Sequence, residues 1–188
     1  MRLFTAIDLP AGVLLRLERL LATLRPEALI KWSPLDNLHI TTKFIGEWPE
    51  NRMDELDQAL AELAPREPFE IRLRDLGWYP NERAPRVLWA GVHAGPELAE
   101  LAHEIEARLE SIGVAREERP FAPHLTLARI KNPVPMHSLR RKVDQLQPAD
   151  LGNFRVGHFS LFRSDPGSNA SVYRKLRDYR FEAALAAP

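Results

Sequence analysis

Apolar and polar positions along the chain switch between a period of two and a period near 3.6, and the switches mark its elements. Residues 2–7 are an apolar run and predict a first strand. Behind Pro10, which suits a first helical turn, Val13, Leu14, Leu17, Leu20, Leu21 and Leu24 recur at helical spacing until Arg25-Pro26 ends the run. A short strand over 31–33 and a longer one over 38–45 follow, the latter broken by Gly46 and Pro49. Met53, Leu56, Leu60 and Leu63 mark a second helix. Phe69, Ile71 and Leu73 alternate with Glu70, Arg72 and Arg74, as in a half-buried strand over 69–76. Pro80, Asn81 and Pro85 make 79–86 a loop before an apolar strand over 87–92. Pro96 opens a third helix with Leu98, Leu101, Ile105, Leu109 and Ile112 on one stripe and Gly113 as its stop. A strand over 123–130 precedes Pro133 and Pro135, and Leu139, Val143 and Leu146 predict a short fourth helix. Residues 154–162 and 172–181 predict two closing strands, joined by the turn-rich 164–168.

The order is strand–helix–strand–helix–strand–strand, then helix–strand–helix–strand–strand. It predicts a duplicated α+β plan of two sheets with helices outside. No flexible linker or low-complexity tract divides residues 1–188, so the chain reads as one domain.

Composition narrows the function classes. Twenty-six basic and 26 acidic side chains give a formal net charge of zero, so bulk charge does not make a polyanion binder and any nucleic-acid contact needs a local basic face. The absence of cysteine excludes disulfides, thiolate metal sites and cysteine nucleophiles, and fits a cytoplasmic protein. Arg2 and Pro10 interrupt the N-terminus too early for a signal peptide, and no apolar run approaches the ~20 residues of a membrane helix.

The chemistry is carried by a phrase that occurs twice in strand-like surroundings: His39-Ile40-Thr41-Thr42 and His124-Leu125-Thr126-Leu127. With six histidines and five threonines in 188 residues, even one His-x-Thr triplet is unexpected by chance. In a strand, residues i and i+2 share a face, so each histidine projects with its threonine while Ile40, Leu125 and Leu127 point behind. Thr42 faces away from the site and is expected to pack. Two imidazoles facing one cleft can serve as base and acid in cleaving a 2′,3′-cyclic phosphate, and two hydroxyls can hold its non-bridging oxygens. Zinc is the weaker reading, because a catalytic zinc wants three protein ligands, neither motif has His-Glu-x-x-His spacing, and Asp36 supplies a third ligand only by accident of folding. His93, His103, His137 and His158 read as solvated or structural.

Arg129 and Phe44 each lie five residues beyond a motif histidine. Strict alternation puts both on the face opposite the histidines, so a phosphate-binding Arg129 or a base-stacking Phe44 needs an irregularity such as a bulge. The basic runs at 140–142 and 174–177 are solvated faces or RNA-backbone contacts.

These residues resemble the two-histidine (2H) phosphoesterases, specifically the RNA 2′,3′-cyclic phosphodiesterases, also called 2′-5′ RNA ligases. The resemblance runs through Arg2-Leu3-Phe4-Thr5-Ala6-Ile7-Asp8-Leu9-Pro10, the segment from Asn37 to Glu47, Pro85-Arg86-Val87-Leu88-Trp89, the segment from Arg119 to Arg129, and Ser160-Leu161 with Tyr173. Where relatives commonly carry leucine, this chain has Thr42. The resemblance implies a bilobal fold of two pseudo-symmetric lobes, with two antiparallel sheets lining a central cleft. It implies hydrolysis of RNA or cyclic-nucleotide 2′,3′-cyclic phosphate ends to 2′-phosphomonoesters, without metal or cofactor, by a monomer. In that scheme His39 donates a proton to the departing 3′ oxygen, His124 accepts one from water, and Thr41 and Thr126 hold the phosphate. The alternatives are a 2′-5′ RNA ligase running the same site in reverse, and an RNA-end-binding module without turnover.

Overall fold

The computed structural model describes residues 1–168 and 170–181. It is an α+β structure of two antiparallel sheets with four helices on their outer faces. In chain order the elements are β1 (Arg2–Ile7), α1 (Ala11–Leu24), β2 (Lys31–Trp32), β3 (Ile40–Glu47), α2 (Met53–Ala61), β4 (Phe69–Tyr79), β5 (Val87–Ala94), α3 (Pro96–Ser111), β6 (His124–Arg129), α4 (His137–Gln145), β7 (Asp150–Val156), β8 (His158–Asp165) and β9 (Val172–Arg180).

The first sheet has the order β3-β1-β8-β9 and the second β2-β6-β5-β4-β7. Apart from the two-residue β2, the ladders correspond. In each, a motif strand pairs antiparallel with the strand that precedes it across a long helix: β3 with β1, and β6 with β5. The helices are exchanged between sheets. α1 follows β1 but packs against β7 and α4 of the second half, whereas α3 follows β5 but packs against β3 and α2 of the first. Leu17, Leu21 and Leu24 of α1 and Leu101, Ile105 and Leu109 of α3 are fully buried. Each contributes about 1.5–3 kcal/mol by leaving water, so the exchange ties the halves through the most strongly buried stripes of the chain. The buried side chains form one connected core. Among the described residues no helix is long and apolar enough to cross a membrane.

One expected element is two. The run read as a single strand over 154–162 ends at Val156 in the second sheet and restarts at His158 in the first. Gly157 lies between, and its carbonyl accepts the Phe181 amide at 2.8 Å. The apolar character of Phe154, Val156, Phe159 and Leu161 runs through this crossing, because both sheets bury their segment. The partner strand therefore changes without any change in hydropathy. Val156 pairs with Phe69 of β4, and Phe159 with Tyr179 of β9. The other predicted elements are present with shifted ends. The first motif strand begins at Ile40, with His39 just ahead of it, and the 69–76 strand runs on to Tyr79.

Candidate active site

The two motif strands come together: β3 and β6 approach within 8 Å across the seam, and His39 feels the charges of His124 and Arg129. The two histidines are held alike. His39 Nδ1 donates to the Asn37 carbonyl at 2.7 Å, and His124 Nδ1 donates to the Ala122 carbonyl at 2.9 Å. A carbonyl only accepts, so each Nδ1 carries its proton and each Nε2 is left to gain or lose one. In both cases the acceptor is the residue two positions earlier, where the chain enters the strand. Asn37 is itself tied down, its side-chain amide donating to the Ser171 carbonyl at 2.7 Å.

The equivalence extends to the backbone. On β3, Thr41 faces Ala6 and Lys43 faces Thr5, leaving Thr42 without a partner. On β6, Thr126 faces Trp89 and Ala128 faces Leu88, leaving Leu127 without one. Each motif therefore carries a β-bulge at its fourth residue. A bulge puts two successive side chains on one face and reverses the alternation beyond it. Thr42 and Lys43 both point inward at 5% and 3% exposure, and Leu127 and Ala128 are fully buried. Thr42 packs as expected, with its hydroxyl 2.7 Å from that of Thr5.

The bulges overturn the alternation expected for the two residues five positions on. Phe44 is not a core side chain: it is 56% exposed, near Phe4, whose ring centroid is 6.2 Å from its own. Arg129 is also exposed, and its charge is felt at His39. Both stand on the face that carries the histidines and the half-buried Thr41 and Thr126.

The two histidines differ in surroundings. His124 is exposed, while His39 is half-buried among rings. Phe4 lies 4.8 Å away between centroids, Tyr173 presents an edge at 5.2 Å, and Phe162 stacks at 6.3 Å. Desolvation by this wall is the largest influence on His39 and holds it below the ordinary imidazole value of 6.5. The Asn37 carbonyl and Asp8 oppose the shift, and the charges of Arg129 and His124 reinforce it. This aromatic wall and Asp8 were not picked out as site residues in the sequence. For Phe4 and Asp8 the signal is the alternation that starts in β1, which puts Phe4, Ala6 and Asp8 on one face and Leu3, Thr5 and Ile7 on the other.

Asp8, His158 and Asp178 gather ligand-type atoms within 4.8 Å of one another. Lys175 reaches into the same cluster, ion-paired to Asp8 and 3.0 Å from Asp178, and Ser160 donates to both carboxylates. The one ammonium already pairs with both carboxylates, so the cluster reads as an ion-paired brace beside His39.

The chain resembles known proteins over nearly its whole length. The 2′-5′ RNA ligase superfamily matches residues 14–168, and the chain belongs to that family. An RNA 2′,3′-cyclic phosphodiesterase of Methanothermobacter thermautotrophicus is 33% identical over 181 residues, covering 95% of this chain and 98% of the relative. Among solved structures, the protein TT0787 of Thermus thermophilus superposes with a TM-score of 0.83 at 32% identity, covering 98% of this chain and all of that one. Escherichia coli LigT complexed with 3′-AMP superposes at 0.76 with 27% identity, covering 96% and 97%.

Proposed function

We propose that this protein is an RNA 2′,3′-cyclic phosphodiesterase that opens the ring to a 2′-phosphomonoester using side chains alone. The observation that carries the reading is the matched pair of Nδ1–H anchors, which leave two Nε2 atoms free on adjoining faces, each beside a threonine. The family supports it, and relatives of nearly the same length bear that activity in their names.

In this reading His124, exposed and with Nε2 unprotonated, takes a proton from the attacking water. His39, as the imidazolium, gives one to the departing 3′ oxygen. Thr41 and Thr126 donate to the non-bridging oxygens, where charge rises in the transition state, and Arg129 adds a guanidinium on the same face. Acid, base and phosphate donors all come from this chain, so no metal ligand set is required. We also infer one domain of two pseudo-symmetric lobes, because exchange of α1 and α3 gives each half a long helix of the other. A monomer suffices, since one chain supplies both motifs, and the cysteine-free composition suits the cytoplasm.

The test is the pH dependence of cyclic-phosphate hydrolysis. The base must be neutral and the acid charged, so the profile is a bell. Its alkaline limb in kcat/KM records loss of the His39 imidazolium in the free protein, and burial, which lowers that group, draws this loss toward lower pH. In kcat the same limb moves up, because a bound phosphate anion favours the imidazolium. A kcat/KM that holds constant from pH 6 to 9 contradicts the assignment of His39 as the acid.

A further inference from the structure

Strand register lines up four side chains of the second sheet in a row beyond His124 and Thr126. Lys31 of β2 faces Arg129 of β6, Arg129 faces Val87 of β5, and Val87 faces Tyr79 of β4. Partners directly opposite one another project to the same side, so the row stands on the cleft face. Four strands at their usual spacing give it a length of about 14 Å, more than one cyclic nucleotide occupies. Its ends are open to solvent. Lys31 is exposed, and Tyr79 is 51% exposed with its hydroxyl accepting from Arg119 Nη1 at 3.2 Å. The next row toward His124 runs from Thr126 to Trp89 to Gly77. The Trp89 ring lies over Gly77 so closely that a Cβ there would stand 2.1 Å from Cζ2. Any larger residue at 77 would displace that ring.

Among the described residues, none of Lys31, Arg83, Arg86, Arg119, Arg129 and Lys131 makes a salt bridge. They are joined by strand pairing and by backbone contacts, such as Arg86 Nη1 donating to the Lys131 carbonyl at 3.4 Å. Glu82 is the one acid in the 79–86 loop. A group of unpaired cations in register with the motif strand and beside two accessible rings matches the chemistry of single-stranded nucleic acid, where cations follow phosphates and rings stack bases.

We infer that this row is a track for the RNA strand on the 5′ side of the reacting end, so that the preferred substrate is an oligoribonucleotide end and not a free cyclic mononucleotide. Lys31 holds an upstream phosphate beside the one held by Arg129. Tyr79, fixed at its hydroxyl by Arg119, stacks an upstream base. The inference rests on the phosphodiesterase reading for the reacting end and adds to it the identity of the rest of the substrate.

The experiment compares kcat/KM for a nucleoside 2′,3′-cyclic phosphate with that for a pentaribonucleotide carrying the same end, in the wild type, Lys31→Ala, Tyr79→Ala and Tyr79→Phe. The wild type is expected to favour the pentanucleotide about tenfold or more, the scale of one stacked base. Lys31→Ala and Tyr79→Ala each remove most of that preference and leave the mononucleotide rate unchanged. Tyr79→Phe, which keeps the ring, restores most of the loss. Lys31→Ala also reduces the salt dependence of the pentanucleotide reaction by about 0.7 in log–log slope, one single-strand phosphate contact. Equal rates on the two substrates, or variants that slow both alike, overturn the track. If neither substrate turns over, the phosphodiesterase reading is what has failed. The track is then decided by fluorescence anisotropy with a labelled pentaribonucleotide ending in a phosphate: weaker binding by both alanine variants upholds it, and unchanged binding overturns it.

Discussion

Replacing His39 or His124 with alanine is expected to lower kcat/KM for a 2′,3′-cyclic phosphate about 10²–10⁴-fold, the usual worth of a positioned acid or base. The geometry gives each ring one job. Its Nδ1 proton is committed to a backbone carbonyl, so removing the ring removes the only nitrogen placed to move a proton on that side. The two losses are not additive. Proton removal from water and proton delivery to the 3′ oxygen serve one displacement, so the double variant falls little below the worse single one. The pH profiles separate the roles. His124→Ala removes the acid limb of the bell, and His39→Ala removes the alkaline limb. Because His39 also packs against Phe4 and Tyr173, His39→Gln is the better partner for the comparison, as it fills more of the space between those rings. Thermal melts matching the wild type then assign the loss to chemistry.

The largest effect on stability is expected at Lys43. The bulge at Thr42 turns this side chain inward, where its ammonium donates to Glu106 Oε1 at 2.9 Å and to the Ala115 carbonyl at 2.8 Å. It thereby joins β3 to α3, a strand of the first half to a helix of the second. Its side chain is 2% exposed and that of Glu106 16%. Removing the ammonium leaves the Glu106 carboxylate with only the Glu117 amide and the more distant Arg116, and takes the donor from the Ala115 carbonyl, so Lys43→Ala should cost about 3 kcal/mol. For a chain of this length that lowers Tm by roughly 10 °C. Lys43→Met with Glu106→Gln should recover part of the loss, since neither change then leaves an unpaired charge.

The acid side of the stability curve reports the same link. The Glu117 amide, and then Lys43, hold the Glu106 carboxyl below its ordinary value of 4.5. A depressed carboxyl stabilises the fold above that value and loses its contribution as pH falls through the lower, folded-state value. Stability measured downward from pH 5 should therefore fall less steeply in the Lys43→Met variant than in the wild type.

Much of this molecule is written in local pattern. The Val13–Leu24 and Leu98–Ile112 stripes are long and periodic, and the repeated His-x-Thr phrase identifies the two motif strands before any fold is known. What hydropathy does not record is where a strand changes partner or gains an unpaired residue. Thr42 and Leu127 look like any fourth residue of a strand, yet each is a bulge that moves Phe44 and Arg129 from the face predicted by alternation to the face of the motif histidines. The crossing at Gly157 is equally silent, because Val156 and Phe159 are buried in different sheets by the same apolar character. The exchange of α1 and α3 depends on which sheet each apolar stripe covers, and a stripe does not name its partner.

Hydrolysis of a short RNA ending in a 2′,3′-cyclic phosphate, carried out in excess chelator and followed by phosphorus NMR, addresses the paired-histidine account most directly. The account predicts a 2′-phosphomonoester as sole product, formed at the same rate with and without chelator. A 3′-phosphomonoester, or turnover that chelator abolishes, would contradict it.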